Sequence, residues 1–224
     1  VFIEMKKQLH DFILSFSVVV LFLLLNPKVC AEGQGWFNNS LSLTINNKFS
    51  LVLKGQIRTH DISFQDPFVY VLEAGAGYKL HKNFHLAAFY RRQTSNSGNR
   101  QVNENRFVLE TGWKTQLCKT LFFDWRFRAE KRSFEQNADA NHFRFRLYVR
   151  FTVNVTLGEL NLKPFIAEEP FWDTKVDAFS QNRFYFGTTI PLTGKVEFLL
   201  SYLRQDLKAK DPNHIVYTGF SLKF

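Results

Sequence analysis

The chain has 224 residues, 17% of them aromatic, with 26 Phe and a single Met. That length suits one domain, and the phenylalanine load excludes the Ala/Leu/Glu/Lys composition of a helical bundle. Lys and Arg exceed Asp and Glu, 29 against 20. The arginines alternate with phenylalanines and are interleaved with carboxylates, which argues against a phosphate-tracking nucleic-acid surface.

The N-terminal stretch reads as an export signal. Met5 is followed by Lys6 and Lys7, then by an apolar run over residues 12–25 and the small-residue site Val29-Cys30-Ala31. The run falls short of the roughly twenty residues a membrane-spanning helix needs, so a signal peptide over residues 1–31 and a mature domain over 32–224 are expected. Cys30 leaves with that signal. Cys118 then has no partner, which rules out a disulfide framework in the mature chain and is weak support for catalysis.

From residue 36 onward the pattern has period two. Predicted strands run over 36–45, 49–58, 68–80, 84–92 and 104–114, with Leu41, Leu43 and Ile45 alternating against Ser40, Ser42 and Thr44 in the first. Gly75 and Gly77 alternate within the third strand, where glycine admits a bend or a bulky neighbour; no helix follows to make a phosphate cradle. Residues 120–157 then form the clearest unit, a long hairpin. Leu121, Phe123, Trp125 and Phe127 share one face, with Asp124, Arg126, Arg128 and Glu130 on the other. In its second half Phe143, Phe145, Leu147 and Val149 oppose His142, Arg144, Arg146 and Arg150. Further strands follow over 160–168, where Pro164 blurs the alternation, then 182–190, 195–204 and 214–224.

Both halves of the hairpin are about twice the usual soluble strand length, and a tilted membrane strand needs roughly nine to eleven residues. Short connections at 46–48, 81–83, 115–119, 158–159 and 191–194 alternate with longer polar ones, the plan of a transmembrane β-barrel. The expected fold is therefore all-β, an antiparallel transmembrane barrel of 10–12 strands. Eleven strand-like runs can be counted. Because antiparallel closure needs an even number, a wall of ten or twelve strands is expected. The terminal strand carries Phe220, Leu222 and the carboxyl-terminal Phe224. They resemble the assembly signal that bacterial barrels present to their insertion machinery.

The order of several short motifs resembles an outer-membrane barrel family filed as a domain of unknown function, number 2490. They are Trp36, Glu104-Asn105-Arg106-Phe107, Asn141-His142-Phe143-Arg144-Phe145-Arg146, Pro164-Phe165, Glu168-Glu169-Pro170-Phe171, Asn182-Arg183 with Gly187, and Phe224. The resemblance implies a barrel in the outer membrane of a Gram-negative bacterium, and no activity.

The charged face would supply Glu104, Arg106, Glu110, Asp124, Arg126, Arg128, Glu130, Arg132, Arg144, Arg146, Arg150, Glu168 or Glu169, and Arg183. Inside a narrow barrel these groups would pair across strands and fill the bore. The same lining could act as an anion-favouring constriction. Periodicity alone leaves the reverse arrangement open, a lipocalin-like soluble barrel with Phe inward. The functional expectation is a structural or narrow-pore barrel, monomeric, that contacts outer-membrane lipid and the barrel-assembly machinery, with no cofactor, metal or nucleic acid. The alternative is a lipid-modifying hydrolase of the lipase or lipid A deacylase type, drawing on His142, His214, Ser133 and Ser180 with Glu168 or Glu169. No G-x-S-x-G or H-E-x-x-H motif accompanies them.

Overall fold

A computed structural model describes residues 33–224 apart from residues 99, 159 and 209. The predicted signal peptide, its cleavage site and Cys30 lie outside the described residues. The strands are β1 (Gln34–Thr44), β2 (Phe49–Thr59), β3 (Pro67–Lys79), β4 (Phe84–Ser97), β5 (Arg100–Gln116) and β6 (Leu121–Phe134). They continue with β7 (His142–Val153), β8 (Val155–Leu157), β9 (Leu160–Asp173), β10 (Ala178–Pro191), β11 (Val196–Leu207) and β12 (Asn213–Lys223). A single 3-10 turn, Ala138–Ala140, sits between β6 and β7.

Neighbouring strands pair antiparallel around the molecule, and β12 returns to β1, so the sheet closes on itself. The short β8 continues β7 in unchanged register: Thr152 lies opposite Phe165 and Val155 opposite Leu162. The interruption falls at Asn154, beside Pro164 of β9, whose nitrogen has no hydrogen to donate to the ladder. Counting β7 and β8 as one, the wall has eleven strands.

Eleven lies within the expected 10–12, but the expected even parity does not hold. A meander of odd strand number brings its first and last members together running the same way. The β1–β12 pairing is accordingly parallel, with Trp36 opposite Tyr217 and Leu41 opposite Leu222. Parallel ladders are slightly weaker per residue. This seam carries additional bonds: Ser40 Oγ donates to Ser221 Oγ at 2.9 Å, and the Phe220 amide donates to Asn39 Oδ1 at 3.1 Å. The backbone of Phe224 also pairs with Ser42 and Thr44. Gly219 lets the two backbones approach here, since a β-carbon at that position would overlap the Asn38 carbonyl.

The long connections differ from the sequence expectation. Residues 93–97 and 100–103 are not loop but paired strand, with Gln93 opposite Glu104 and Asn96 opposite Gln101. Likewise β9 extends to Asp173 and β10 starts at Ala178. The tip around Asn96 and Gln101 is polar on both faces, so period-two reading misses it. The β9–β10 tip instead carries Trp172 against Phe179 across the two strands, beyond the alternation that Pro164 blurs.

Sidedness is decided by exposure. Phe107 and Leu109 are 64% and 67% exposed, whereas Arg106, Val108 and Glu110 between and beside them are 4%, 2% and 8% exposed. Along β5 phenylalanine and leucine point out, and arginine and glutamate point in. A soluble lipocalin-like barrel would reverse this. The interior itself is divided, with an aromatic cluster of Trp36, Tyr148, Phe165, Tyr185, Leu203 and Ile215 on the β9–β1 side. Gly75 accommodates the buried Phe89 ring, which a β-carbon there would overlap.

Two outcomes check this architecture. Gly219→Ala should abolish the compact, heat-modifiable band on gels, whereas Gly55→Ala, which meets open space, should fold like the parent. Leu109→Arg should destabilise the barrel by roughly 2–4 kcal/mol in denaturant titrations in phospholipid vesicles.

Candidate functional site

Alternation along β5, β6 and β7 delivers guanidinium and carboxylate groups to the interior at every second residue, and register sets which of them meet. Arg128 stands opposite both Glu110 and Arg146, and Glu130 opposite Arg144. Glu130 has no exposed surface. Arg144 Nε donates to its Oε2 at 3.0 Å, Arg146 Nη1 donates to its Oε1 at 2.6 Å, and Arg106 Nη1 lies 3.8 Å away. Arg146 reaches on to Glu169, donating from Nε at 3.1 Å, and the Tyr185 hydroxyl donates to the same carboxylate at 2.8 Å.

The lattice continues toward β3 and toward the rim. Arg106 Nη2 donates to Glu104 Oε2 at 2.6 Å, and Arg132 donates to the same carboxylate. Arg128 bonds Glu110 and approaches Glu73, which also accepts from Lys54 Nζ at 2.7 Å. Phe171, fully buried, lies beneath the guanidinium groups of Arg144, Arg146 and Arg183 at 4.8 to 5.2 Å from its centroid. Cation–π contact thus supplements ion pairing where carboxylates are short.

Most of the residues singled out from sequence converge on this interior. Glu104, Arg106, Glu110, Arg128, Glu130 and Arg144 are buried there, and Arg126, Arg146, Arg150 and Arg183 line its cavity. Arg126 lies over the Tyr148 ring and Arg150 over Phe165. Asp124 shares the inward parity of Arg126, opposite Arg150. Glu168 is the exception. It is exposed on the outer face and accepts from Asn182 Nδ2 at 2.8 Å, while its neighbour Glu169 is the inward carboxylate. Consecutive strand residues point to opposite faces, so only one of this pair can join the lattice. Sequence reading also left out Lys54, Arg58, Glu73, Arg91 and Asp173. The period-two parity of β2, β3 and β4 was the signal that could have placed the first four.

At the centre is a cavity of about 300 Å³. Ten Lys and Arg side chains line it, against the two carboxylates of Glu73 and Glu169, with Trp36, Tyr148, Phe165, Tyr185 and Tyr217 completing the wall.

A family profile described as a protein of unknown function, DUF2490, matches residues 33–215. The chain belongs to the DUF2490 family. No curated protein matches the sequence. Among solved structures, the NanC porin aligns with a TM-score of 0.51 at 13% identity, covering 85% of this chain and 98% of that one. The β-domain of the Bordetella autotransporter BrkA aligns with a TM-score of 0.46 at 14% identity, covering 75% of this chain and 78% of that one. The porin likeness concerns the fold.

The histidines and serines of the DUF2490 chain singled out from sequence lie in separate settings. His142 Nδ1 lies 2.6 Å from the Ala140 carbonyl, and its Nε2 is 3.1 Å from both Asp173 Oδ2 and Arg132 Nη1. Ser133 follows the inward Arg132 and so has the opposite parity to His142. His214 Nδ1 meets the Tyr202 hydroxyl at 2.6 Å. Ser180 is the extra residue of a bulge in β10. Cys118 is exposed in the turn after β5. No group of three or more His, Cys, Asp or Glu suited to a metal ion occurs among the described residues. Outside the wall, Arg92 and Asn105 donate to Glu135 and hold its carboxyl below the usual value.

Glu130→Gln should cost roughly 3–5 kcal/mol of unfolding free energy, because it removes the counter-charge of two buried guanidinium groups, those of Arg144 and Arg146. Glu168→Gln should stay within about 0.5 kcal/mol. Urea unfolding of both variants in the same detergent checks the contrast.

Proposed function

We propose that this chain is an outer-membrane barrel of a Gram-negative bacterium, whose narrowed bore passes small solutes and favours anions. The observation that carries this reading is the basic cavity wall, on which Arg58, Arg126 and Arg150 rest on aromatic rings while Arg106, Arg128, Arg144 and Arg146 pair with carboxylates. Rings of Arg and Lys in a confined aqueous path lower the free energy of anions relative to cations. The ion-pair lattice narrows the path, as side chains do in small barrels.

Export would use the segment over residues 1–31. Phe220, Leu222 and Phe224 on the last strand would be read by the barrel-assembly machinery, and outer-membrane lipid would surround the Phe- and Leu-bearing exterior of a monomer. Ring nitrogens of His142 held by Ala140, Asp173 and Arg132 support a positioning role for that histidine, and favour a passage over lipid hydrolysis.

The test is conductance in planar bilayers under a potassium chloride gradient. The expected result is small unitary steps with a reversal potential displaced toward that of chloride. The displacement should shrink when Arg126 and Arg150 are both changed to Gln. A cation preference, or a folded barrel that never conducts, overturns the passage.

A further inference from the structure

Arg58, Arg91 and Arg183 are interior cations with weak or absent carboxylate partners. Arg58 has no carboxylate within ion-pair distance among the described residues. Its Nε donates to Gln56 Oε1 at 2.9 Å, and its guanidinium lies 3.9 Å from the Trp36 ring centroid. The charges acting on it most strongly are four more guanidinium groups, those of Arg183, Arg91, Arg106 and Arg144. Arg183 also contacts the Trp36 ring, at 5.0 Å, and reaches Glu169 only at 3.6 Å. Arg91 reaches Glu73 only at 3.6 Å. The Nε of Arg91 and that of Arg183 are buried without a hydrogen-bond partner among the described residues.

A buried charged donor left without an acceptor is costly, and mutual repulsion among guanidinium groups adds to the cost. One anion among the three would relieve both. The planar guanidinium fork matches carboxylate and phosphate oxygens, two at a time. All three arginines line the same cavity of about 300 Å³, at the lower end of the range for ligand sites, which limits the occupant to a small solute.

We propose that the cavity is a binding site for a small oxyanion, a phosphate or a carboxylate, held by Arg58, Arg91 and Arg183. The proposal rests on the same cavity as the passage, but binding does not require conduction.

The experiment is calorimetric titration of the full chain, folded in detergent, with inorganic phosphate and separately with acetate. Saturable 1:1 binding is expected for at least one, weakening as sodium chloride rises. Arg58→Gln and Arg183→Gln should each weaken it about tenfold or more, a loss of about 1.4 kcal/mol. Arg92→Gln, whose side chain pairs with Glu135 outside the cavity, should leave it unchanged. Heat-modifiable gel mobility reports that each variant is folded. If Arg58→Gln does not fold, Arg58→Lys keeps the charge, removes the fork and should weaken binding in the same direction. No saturable heat with either anion, or heat indifferent to the Arg58 and Arg183 changes, overturns the site. A barrel that binds phosphate but passes no current keeps the site and loses the passage. One that conducts anions without saturable binding does the reverse.

Discussion

Glu130 has no surface in contact with solvent, and guanidinium groups from β5 and β7 surround it. A carboxylate taken out of water this completely is tolerable only when charge and hydrogen bonds replace its hydration. The lattice built on Glu130, Glu104, Glu110, Glu73 and Glu169 therefore ties side-chain chemistry to strand register. A slip of one residue in any of these strands would turn carboxylates outward and phenylalanines toward arginine. Register is thereby specified from within, by pairing, as well as from without, by the apolar outer face.

The lattice also explains why the interior is neither a filled core nor an open channel. Arginine exceeds carboxylate, and part of the excess rests on aromatic rings: Arg58 on Trp36, Arg126 on Tyr148 and Arg150 on Phe165. Rings of this kind hold cations without neutralising them. The outcome is a compact chamber that keeps a positive field, bounded on one side by ion pairs and on the other by the aromatic cluster around Trp36 and Tyr185.

How much of this could be read from the sequence depended on contrast between the two faces. Over residues 120–157 phenylalanine alternates with arginine, so strand, face and membrane-scale length were all apparent. The polar tips around Asn96 and Gln101 carry no such contrast, and their pairing was read as loop. Glu168 and Glu169 are chemically alike neighbours just past Pro164, where the alternation is blurred, so parity between them required the register with β10. Lys54, Glu73 and Arg91 lie on strands with clear periodicity, but each looks isolated in the sequence; only the β2–β3 and β3–β4 registers set Lys54 and Arg91 opposite Glu73. The odd parity of the wall escapes the sequence because an even meander is not a condition of closure. The paired backbones of Trp36 and Tyr217 show that a parallel seam serves as well.

That seam also fixes the geography of the chain ends. Because β1 and β12 run in the same direction, Gln34 lies at the rim that carries residues 60–66, beside Thr59, while Lys223 lies at the opposite rim beside Val196 and the turn after Pro191. An even-stranded meander would return both ends to a single compartment. Here a label fused ahead of Gln34 and one fused after Phe224 would report on opposite mouths of the barrel.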